Sequence, residues 1–231
     1  MSRPRALTTR SLLRPLCLAA AVLLCLAPLS VSLPPPTNLA GLVEELATQT
    51  GVPNLVSGVI LHVRLFDTIG EVVVFTLASL GVRWLLGSER AVRDIRALSD
   101  DPSVVLCQWG ATIATLVAVE LALRGHLSPG GGFAAGVAGG TAIGLVLISG
   151  GAAEAESIHR RWRADLWEKG SVLAFLLLSL LALWGLAPPP GRFGTLLSGS
   201  WIPVLNVLVA IKVTLGSWSM VQRLVRARGL L

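Results

Sequence analysis

The stretch Trp201–Val221, with the sequence WIPVLNVLVAIKVTLGSWSMV, decides the fold class of this chain. It is an apolar run of the roughly 20 residues that an α-helix needs to cross the hydrocarbon core of a bilayer. Its one charged residue is Lys212, and arginines follow it at positions 223, 226 and 228. Such a segment predicts a transmembrane helix that ends at a basic, cytoplasmic surface.

Five further apolar runs of similar length precede this one, at residues 12–33, 66–86, 104–123, 131–150 and 167–187. Six of the seven tryptophans lie near run ends, where an interfacial aromatic belt would place them. Charged residues make up only 14% of the chain, against about 25% in soluble domains, and the mean hydropathy is +0.74. The chain is therefore predicted to be an all-α, polytopic transmembrane helix bundle of about six spans.

The distribution of basic residues predicts the orientation of these spans. Of the nineteen Lys and Arg residues, most lie in four patches that alternate with pairs of apolar runs. The patches are Arg3, Arg5, Arg10 and Arg14; Arg83, Arg90, Arg93 and Arg96; Arg160, Arg161, Arg163 and Lys169; and Arg223, Arg226 and Arg228. The opposite connections hold only Arg64, Arg124 and Arg192. Short basic loops stay in the cytoplasm, so both termini are predicted inside, in a multi-pass protein of the cell membrane.

The pI of about 10.5 does not predict nucleic-acid binding, because the basic residues sit at span ends and not on one continuous face. We interpret them as topology signals that contact anionic headgroups of the lipid bilayer.

The N-terminal third leaves two alternatives open. Residues 12–33 read as a retained span, but the preceding arginines and the small residues Ser30–Ser32 also describe a cleavable signal peptide. Residues 38–51 carry acids and no base, which suits an outside connection with a short amphipathic helix. Residues 52–65 contain Pro53, His62 and Arg64 and are too interrupted for a full span. They are predicted to form a surface helix or a segment leading into the next span.

Four ionisable residues lie in or at the mouth of predicted spans: Glu71, Glu120, Lys212 and Asp67. A charge at the bilayer centre costs at least about 2.5 kcal/mol, so it normally faces protein or a water-filled path. Lys212 is the deepest, and Asp67 shares a helical face with Glu71. These residues are the candidates for a proton or ion path.

Structural roles compete with this interpretation at each position. Glu120 and Arg124 are four residues apart and could form an interfacial ion pair, and His62, Arg64 or Arg124 could hold Glu71. Lys212 could pair with a carboxylate of a partner subunit.

Glycine and small residues dominate the fourth predicted span and the turn before it. The turn contains His126, Pro129, Gly130, Gly131, Gly132 and Phe133. Gly136, Gly140 and Gly144 then form small-xxx-small faces on which helices approach closely, and Asn206 is a candidate helix–helix hydrogen-bond residue. These faces are predicted to leave grooves for a partner helix. No catalytic, cofactor-binding or metal-binding constellation is evident, and the three cysteines read as packing residues.

The turn Gly125–Phe133 reads G-H-L-S-P-G-G-G-F and resembles the B subunit of Mrp-type multisubunit sodium/proton antiporters, in which a G-H-x-x-P-G-G-G-F turn opens a helix rich in small residues. Residues 205–213 are similar to that family's last span in its N-x5-K variant, with Asn206 and Lys212. A second resemblance covers residues 54–86. There Phe66–Glu71 matches the F-D-T-x-G-E element that closes the large A subunit, an element that is a separate small subunit in membrane-bound hydrogenases.

The two resemblances imply a fusion, with an A-tail or E-like membrane unit at 1–99 and a B-like membrane domain at 100–231. They imply a subunit of a sodium/proton antiporter complex, with other membrane subunits as partners, sodium ions and protons as the transported species, and no catalytic site or cofactor of its own. The alternatives are a subunit of a membrane-bound hydrogenase or complex-I-like membrane arm, and a scaffold or assembly protein without a transport role. A free-standing transporter is disfavoured because no inverted repeat is visible.

Overall fold

A computed structural model of the protein describes residues 39–89, 98 and 100–228, with isolated positions between residues 15 and 26; the side chains of 151–154 and 228 are not among what it describes. The chain divides into two compact units, Met1–Leu39 and Ala40–Leu231. In the first unit, the described positions are helical. Most of the predicted span 12–33, including Ser30–Ser32, lies outside the described residues, so a retained span and a signal peptide both stay predictions.

Helices form every regular element of the described residues, which confirms the all-α prediction. In chain order they are α1 (Leu39–Thr50), α2 (Leu55–Gly58), a first π-helical turn (Val59–Val63), α3 (Leu65–Leu85), α4 (Asp101–Arg124), α5 (Gly132–Val146), a second π-helical turn (Leu147–Gly151), α6 (Ala152–Arg161), α7 (Ala164–Leu183) and α8 (Ile202–Arg228).

Within the described part of the chain, five helices are long and apolar enough to cross a membrane: α3, α4, α5 with its π-helical continuation to Gly150, α7 and α8. They coincide with the predicted spans 66–86, 104–123, 131–150, 167–187 and 201–221. Each boundary falls within a few residues of its prediction, except that α8 continues to Arg228.

Local chemistry explains where the spans begin and end. Asp100 caps α4, its carboxylate accepting a hydrogen bond from the Ser103 N–H at 3.1 Å. Hydrogen bonds from Ser103 also hold the pKa of Asp100 below its usual value of 3.8. At the start of α5, Gly131 adopts a φ of 122°, and at its end Gly150 adopts a φ of 95° and breaks the helix.

The interrupted segment 52–65 places one face in the core, while His62, Val63 and Arg64 are exposed. It consists of α2 and the first π-helical turn, and it leads directly into α3. Val52, Leu61 and Leu65 are buried in one cluster with residues of α3, α7 and α8. The Thr68 hydroxyl of α3 donates a hydrogen bond to the Ile60 carbonyl at 2.6 Å and fixes the junction. These contacts favour the interpretation of residues 52–65 as a segment that leads into the next span over their interpretation as a surface helix.

α8 is the central helix of the second unit and packs against α3, α4, α5 and α7. Its inward residues Ile202, Leu205, Val209 and Val213 are almost fully buried, and Phe175 of α7 packs against the same cluster. Lipid tails are as apolar as these side chains, so the hydrophobic effect does not drive the helices together once they are in the membrane. Within a bilayer, close packing of these helices takes over that role.

The connections between spans gather at two ends of the second unit. At one end, the segment before α3 contacts the α4–α5 turn, and that turn contacts the α7–α8 connection. At the other end, Arg83 of α3 pairs with Asp165 of α7 at 3.6 Å, and Arg226 of α8 pairs with Glu156 of α6. We call these the His126 end and the basic end. The assignment of successive connections to opposite ends agrees with the alternation of basic and non-basic connections predicted from the sequence.

Candidate functional site: a buried ion pair between two spans

Lys212, the deepest charged residue predicted from the sequence, forms an ion pair with Glu168 within the same chain. Its ammonium lies 2.5 Å from Glu168 Oε1, and the two side chains are only 2% and 6% exposed. Lys212 lies ten residues into α8, whereas Glu168 lies in the first turns of α7. The alternative in which a partner subunit supplies the carboxylate is wrong for this pair, because α7 of the same chain supplies the counter-ion.

Three further residues define the surroundings of this pair. The Ser79 hydroxyl of α3 donates to Glu168 Oε1 at 3.5 Å, and the Phe75 ring lies 5.6 Å from the ammonium. Gly216 makes room for the pair, since a Cβ there would lie 2.7 Å from Phe75 and 3.4 Å from the Lys212 ammonium. Three spans, α3, α7 and α8, therefore converge on one buried charge pair.

The second carboxylate oxygen of Glu168 is buried without a hydrogen-bond partner among the described residues. A buried carboxylate oxygen normally accepts at least one hydrogen bond, and a lone one is a position for water or for a proton. Burial of an ion pair is favourable only when its remaining polar atoms are satisfied. Glu168 Oε2 is therefore an acceptor whose hydrogen-bonding capacity the described residues leave unused.

A cavity of about 250 Å³ leads to the pair from the side of α3 and α7. Glu168 and Lys212 line it together with Arg83 and Lys169, two residues of the predicted basic patches. Much of the remaining lining is apolar, including Leu80 of α3 and Leu173 and Leu176 of α7. The cavity therefore places the buried pair next to two cationic side chains of the basic end.

The three predicted acidic residues lie elsewhere, on the exposed surface of the chain. Asp67 pairs with Arg64, and Glu120 pairs with Arg124 at 3.0 Å, which is the interfacial ion pair expected as the structural alternative. Glu71 has no ion-pair or hydrogen-bond partner among the described residues, so His62, Arg64 and Arg124 do not hold it. The structure does not bring these acids together with Lys212.

His126 organises the turn between α4 and α5. Its ring is fully buried, and its Nε2 lies 3.4 Å from the Thr195 carbonyl oxygen, a contact that requires the Nε2–H tautomer. Nδ1 has no partner among the described residues. Burial lowers the pKa of His126 below its usual 6.5, and the backbone contacts with Thr195 and Leu196 offset part of that shift.

The polar side chains of the segment before α3 hold the same turn. The Asn54 side-chain amide donates to the Gly125 carbonyl at 2.6 Å and to the Ser128 carbonyl at 2.8 Å. The Ser57 hydroxyl donates to the Gly125 carbonyl at 2.7 Å. After Pro129, Gly130 and Gly131 adopt φ angles of 148° and 122°, which explains the glycines of this motif.

The glycine face of α5 packs against α8 of the same chain. A Cβ at Gly132 would lie 2.5 Å from the Asn206 carbonyl, one at Gly136 would lie 2.3 Å from Val213, and one at Gly140 would lie 2.8 Å from Ser217. At Gly144 a Cβ would meet nothing within 4 Å. The prediction that Gly136 and Gly140 leave grooves for a partner helix of another subunit is wrong, because α8 fills them.

Asn206 is a helix–helix hydrogen-bond residue, as predicted. Its side-chain amide donates to the carbonyls of Ala122 at 2.8 Å and Leu121 at 3.2 Å, and so ties α8 to the last turn of α4. Phe133 is partly buried and packs against the core cluster.

Glu168 is the buried, ion-paired residue that sequence reasoning missed. It lies one residue inside the predicted span 167–187, so it belonged among the ionisable residues of spans. The sequence pattern that could have indicated the pair is an acid, Glu168, in the first turn of one span and a lysine, Lys212, within the next span. Among the described residues, no cluster of three or more His, Cys, Asp or Glu side chains could hold a metal ion.

Comparison with known protein families identifies the family of this chain. The family model for domains related to the MnhB subunit of Na⁺/H⁺ antiporters matches residues 102–219, just over half of the chain. The chain belongs to this MnhB-related family. The matched region contains α4, α5, α7 and most of α8, and therefore both residues of the buried ion pair.

Two related proteins extend this finding. A probable K⁺/H⁺ antiporter A/B subunit of Rhizobium meliloti (strain 1021) is 32% identical over 145 residues, covering 51% of this chain. The match spans only 14% of that protein's own length. An uncharacterized protein of Methanocaldococcus jannaschii is 25% identical, and the match covers 76% of this chain and 78% of that protein.

Two solved structures share the fold. A chain of the membrane-bound sulfane sulfur reductase, an archaeal respiratory membrane complex, superimposes with a TM-score of 0.68 at 22% identity, over 94% of this chain and 98% of that chain. A chain of the Mrp complex from Dietzia sp. DQ12-45-1b superimposes with a TM-score of 0.66 at 19% identity, over 99% of this chain and 27% of that chain. The MnhB-related chain is a multi-pass membrane protein with a fold found both alone and inside a longer polypeptide.

Proposed function

We propose that this MnhB-related chain is a membrane subunit of a multisubunit cation/proton antiporter complex in the cell membrane, without a catalytic site of its own. The family match over residues 102–219 supports this proposal, as does the likeness of part of the chain to a K⁺/H⁺ antiporter component. Other membrane subunits are its partners, and protons with Na⁺ or K⁺ are the transported ions. Residues 1–99 correspond to the A-tail or E-like unit and 100–231 to the B-like domain.

The observation that carries the proposal is the buried Glu168–Lys212 pair with its unsatisfied carboxylate oxygen. Protonation of Oε2 would neutralise Glu168 and leave the Lys212 ammonium buried without a counter-charge. Because an unpaired buried cation is costly, the ammonium would then lose a proton or move toward water. A pair of this kind couples the arrival of one proton to the release or displacement of another charge.

The cavity between α3 and α7 supplies the access that such a coupling requires. It joins the pair to Arg83 and Lys169, whose positive charges repel cations but leave proton transfer through water possible. Lys212, one of the candidates predicted from the sequence, thus stays on the proposed proton path with Glu168 as its partner. Glu120 and Asp67 take structural roles in surface ion pairs.

Glu71 has a different role in this proposal. It is exposed on α3 and has no partner among the described residues, although it lies within a predicted span. An unpaired carboxylate facing lipid is costly, so we expect a basic or hydrogen-bonding group of a neighbouring subunit to cover it. Glu71→Gln should weaken co-purification of that neighbour, whereas Glu71→Gln with intact assembly and lost transport would place Glu71 on the ion path.

A second candidate function is a subunit of a membrane-bound respiratory reductase. It is favoured by one observation, the match to nearly the full length of one chain of the archaeal sulfane sulfur reductase complex. A non-transporting scaffold is the remaining alternative, and it predicts that loss of the buried pair affects assembly alone.

Affinity purification of the tagged full-length chain from native membranes in mild detergent separates these functions. The antiporter proposal predicts co-purifying antiporter-like subunits, and a deletion strain whose membrane vesicles lose cation-dependent proton movement until the gene is restored. Co-purifying redox subunits, with unchanged cation-dependent proton movement in the deletion strain, would favour the reductase alternative.

A further inference from the structure

An apolar groove of about 600 Å³ opens on the membrane-facing surface of the second unit, away from the ion pair. Residues of α4, α5, α6, α7 and α8 line it. Its depth comes from small side chains, namely Ala118, Ala122, Ala135, Gly139, Ala142 and Ala210. In a chain with five candidate spans, a groove of this composition faces either lipid or another protein.

Three tryptophans line the end of the groove nearest the α6–α7 connection. They are Trp162, Trp167 and Trp218. The Trp162 and Trp167 side chains are largely exposed, and the Trp218 ring packs edge-on against His159 at 5.0 Å. Tryptophans of this kind sit at the level of lipid headgroups, so this end of the groove marks the membrane interface.

Two arginines with no counter-ion among the described side chains are sequence neighbours of groove residues at the same end. Arg161 and Arg163 adjoin Trp162 in sequence, and both are exposed. The nearby carboxylates are engaged elsewhere, because Asp165 pairs with Arg83 and Glu156 pairs with Arg226. Arg163 begins α7 in a left-handed conformation with a φ of 49°, which displaces its backbone from the helical path.

We propose that the groove binds one acyl chain of an anionic phospholipid, whose phosphate lies against Arg161 and Arg163. A transmembrane helix, about 10 Å across and 30 Å long, is too large to enter the groove and could insert only side chains into it. An acyl chain is narrow enough to enter the groove. It would make van der Waals contacts with the apolar lining and would need no hydrogen-bond partner there.

The charge at the end of the groove selects the headgroup. Basic pockets between transmembrane helices on the cytoplasmic side bind anionic headgroups, and each arginine near such a surface contributes about fivefold in affinity. A zwitterionic phospholipid would place the same acyl chain in the groove but gain much less from the arginines. The proposal therefore predicts a preference for phosphatidylglycerol over phosphatidylcholine of about 25-fold from two arginines.

Native mass spectrometry of the purified full-length chain, titrated in detergent with phosphatidylglycerol or phosphatidylcholine, tests this. The Arg161→Gln plus Arg163→Gln variant should lose the preference for phosphatidylglycerol and keep weak binding of both lipids. Ala118→Phe, or Val119→Trp if the first variant is poorly folded, should reduce binding of both lipids because each fills the groove. Arg192→Gln, at the opposite end, and Ala78→Phe, on an exposed face of α3 outside the groove, are the matched controls.

Equal affinity for the two lipids, or binding that the groove-filling variants leave unchanged, would overturn the proposal. So would a photo-crosslinker at Ala118 that captures another protein of the intact complex, because the occupant would then be protein. Capture of phospholipid by the same crosslinker is the expected result.

Discussion

At the scale of single residues, Glu168 and Lys212 depend on each other because each is almost fully buried. Lys212→Met removes the cation and leaves the Glu168 carboxylate buried without a counter-charge, which should lower stability by about 3–5 kcal/mol. The double variant Glu168→Gln plus Lys212→Met removes both charges and should be much less destabilised. Thermal unfolding of the purified chain in detergent, followed by size-exclusion chromatography, measures both effects.

The surface pair Glu120–Arg124 is the control for this comparison. Both of its side chains are about half exposed, so Glu120→Gln should change stability by less than about 1 kcal/mol. If Lys212→Met were as stable as Glu120→Gln, the buried pair would not be the linked unit that the geometry indicates.

The sequence predicted Lys212 as an unusual residue but did not predict its partner. Depth along a helix can be counted from the sequence, and a lysine ten residues inside an apolar run is visible directly. Pairing requires knowing that α7 and α8 pack side by side and that the Lys212 side chain extends toward the basic end. The relative position of α7 and α8 depends on the close fit of many side chains between the two helices. That fit cannot be predicted from a single sequence.

At the scale of helices, the contact between α5 and α8 should be sensitive to the size of one residue. A Cβ at Gly136 would lie 2.3 Å from Val213, so Gly136→Ala should separate the two helices and lower stability by about 1–3 kcal/mol. Val213→Ala in the same chain should restore part of the loss because it removes the clashing methyl groups. Melting temperatures of the two variants in detergent measure this coupling.

Gly144→Ala is the matched control, since a Cβ there meets nothing within 4 Å. It should leave the melting temperature unchanged or raise it slightly, because alanine favours the helix by about 1 kcal/mol over glycine. Similar losses at Gly136 and Gly144 would show that glycine content, and not this contact, determines the stability of α5.

The spans were predictable because the length of an apolar run indicates them. The glycine faces were predictable because the spacing of small residues within one helix indicates them. Their partners were not, since a small-xxx-small face fits any helix that presents a matching ridge. The glycines of α5 therefore correctly predicted a closely packed helix pair, but the prediction that the other helix belongs to another subunit was wrong. The segment 52–65 was ambiguous for a similar reason, because its burial depends on core contacts made by distant helices.

The His126 turn should make stability depend on pH. Burial lowers the pKa of His126, so the folded chain holds the neutral imidazole at a pH where the unfolded chain binds a proton. This stabilising contribution is fully present above the unfolded pKa of about 6.5 and is lost as the pH falls through the lower folded pKa. We expect the melting temperature to fall between pH 7.5 and pH 5.5, and to fall less in His126→Gln.

His62→Gln is the control for this experiment, because His62 is exposed before α3. It should keep the pH dependence of the unaltered chain. If His126→Gln had the same pH dependence as the unaltered chain, another group would be responsible.

At the scale of the whole molecule, the prediction that remains open is the orientation in the membrane. The structure places the α4–α5 turn and the α7–α8 connection at the His126 end, opposite the α6–α7 connection. We expect the His126 end outside and both termini in the cytoplasm. In a cysteine-free background, Arg192→Cys should react with an impermeant maleimide in intact cells, and Arg161→Cys only after permeabilisation.

Labelling of the second position in intact cells would reverse the assignment. The mass of the N-terminal product, compared with that of the full chain, decides separately between a retained span at 12–33 and a signal peptide cleaved near Ser32.

The central claim is that the Glu168–Lys212 pair carries protons in an assembled antiporter complex, and Glu168→Gln tests it most directly. Glu168→Gln removes the titrating group, and combining it with Lys212→Met avoids leaving the ammonium buried without a counter-charge. We predict that everted membrane vesicles carrying Glu168→Gln, alone or with Lys212→Met, lose at least nine-tenths of their cation-dependent proton movement, while the complex containing the double variant purifies intact and Glu120→Gln vesicles remain normal. Normal transport in Glu168→Gln vesicles would contradict the claim, and so would loss of transport together with loss of the assembled complex in the double variant.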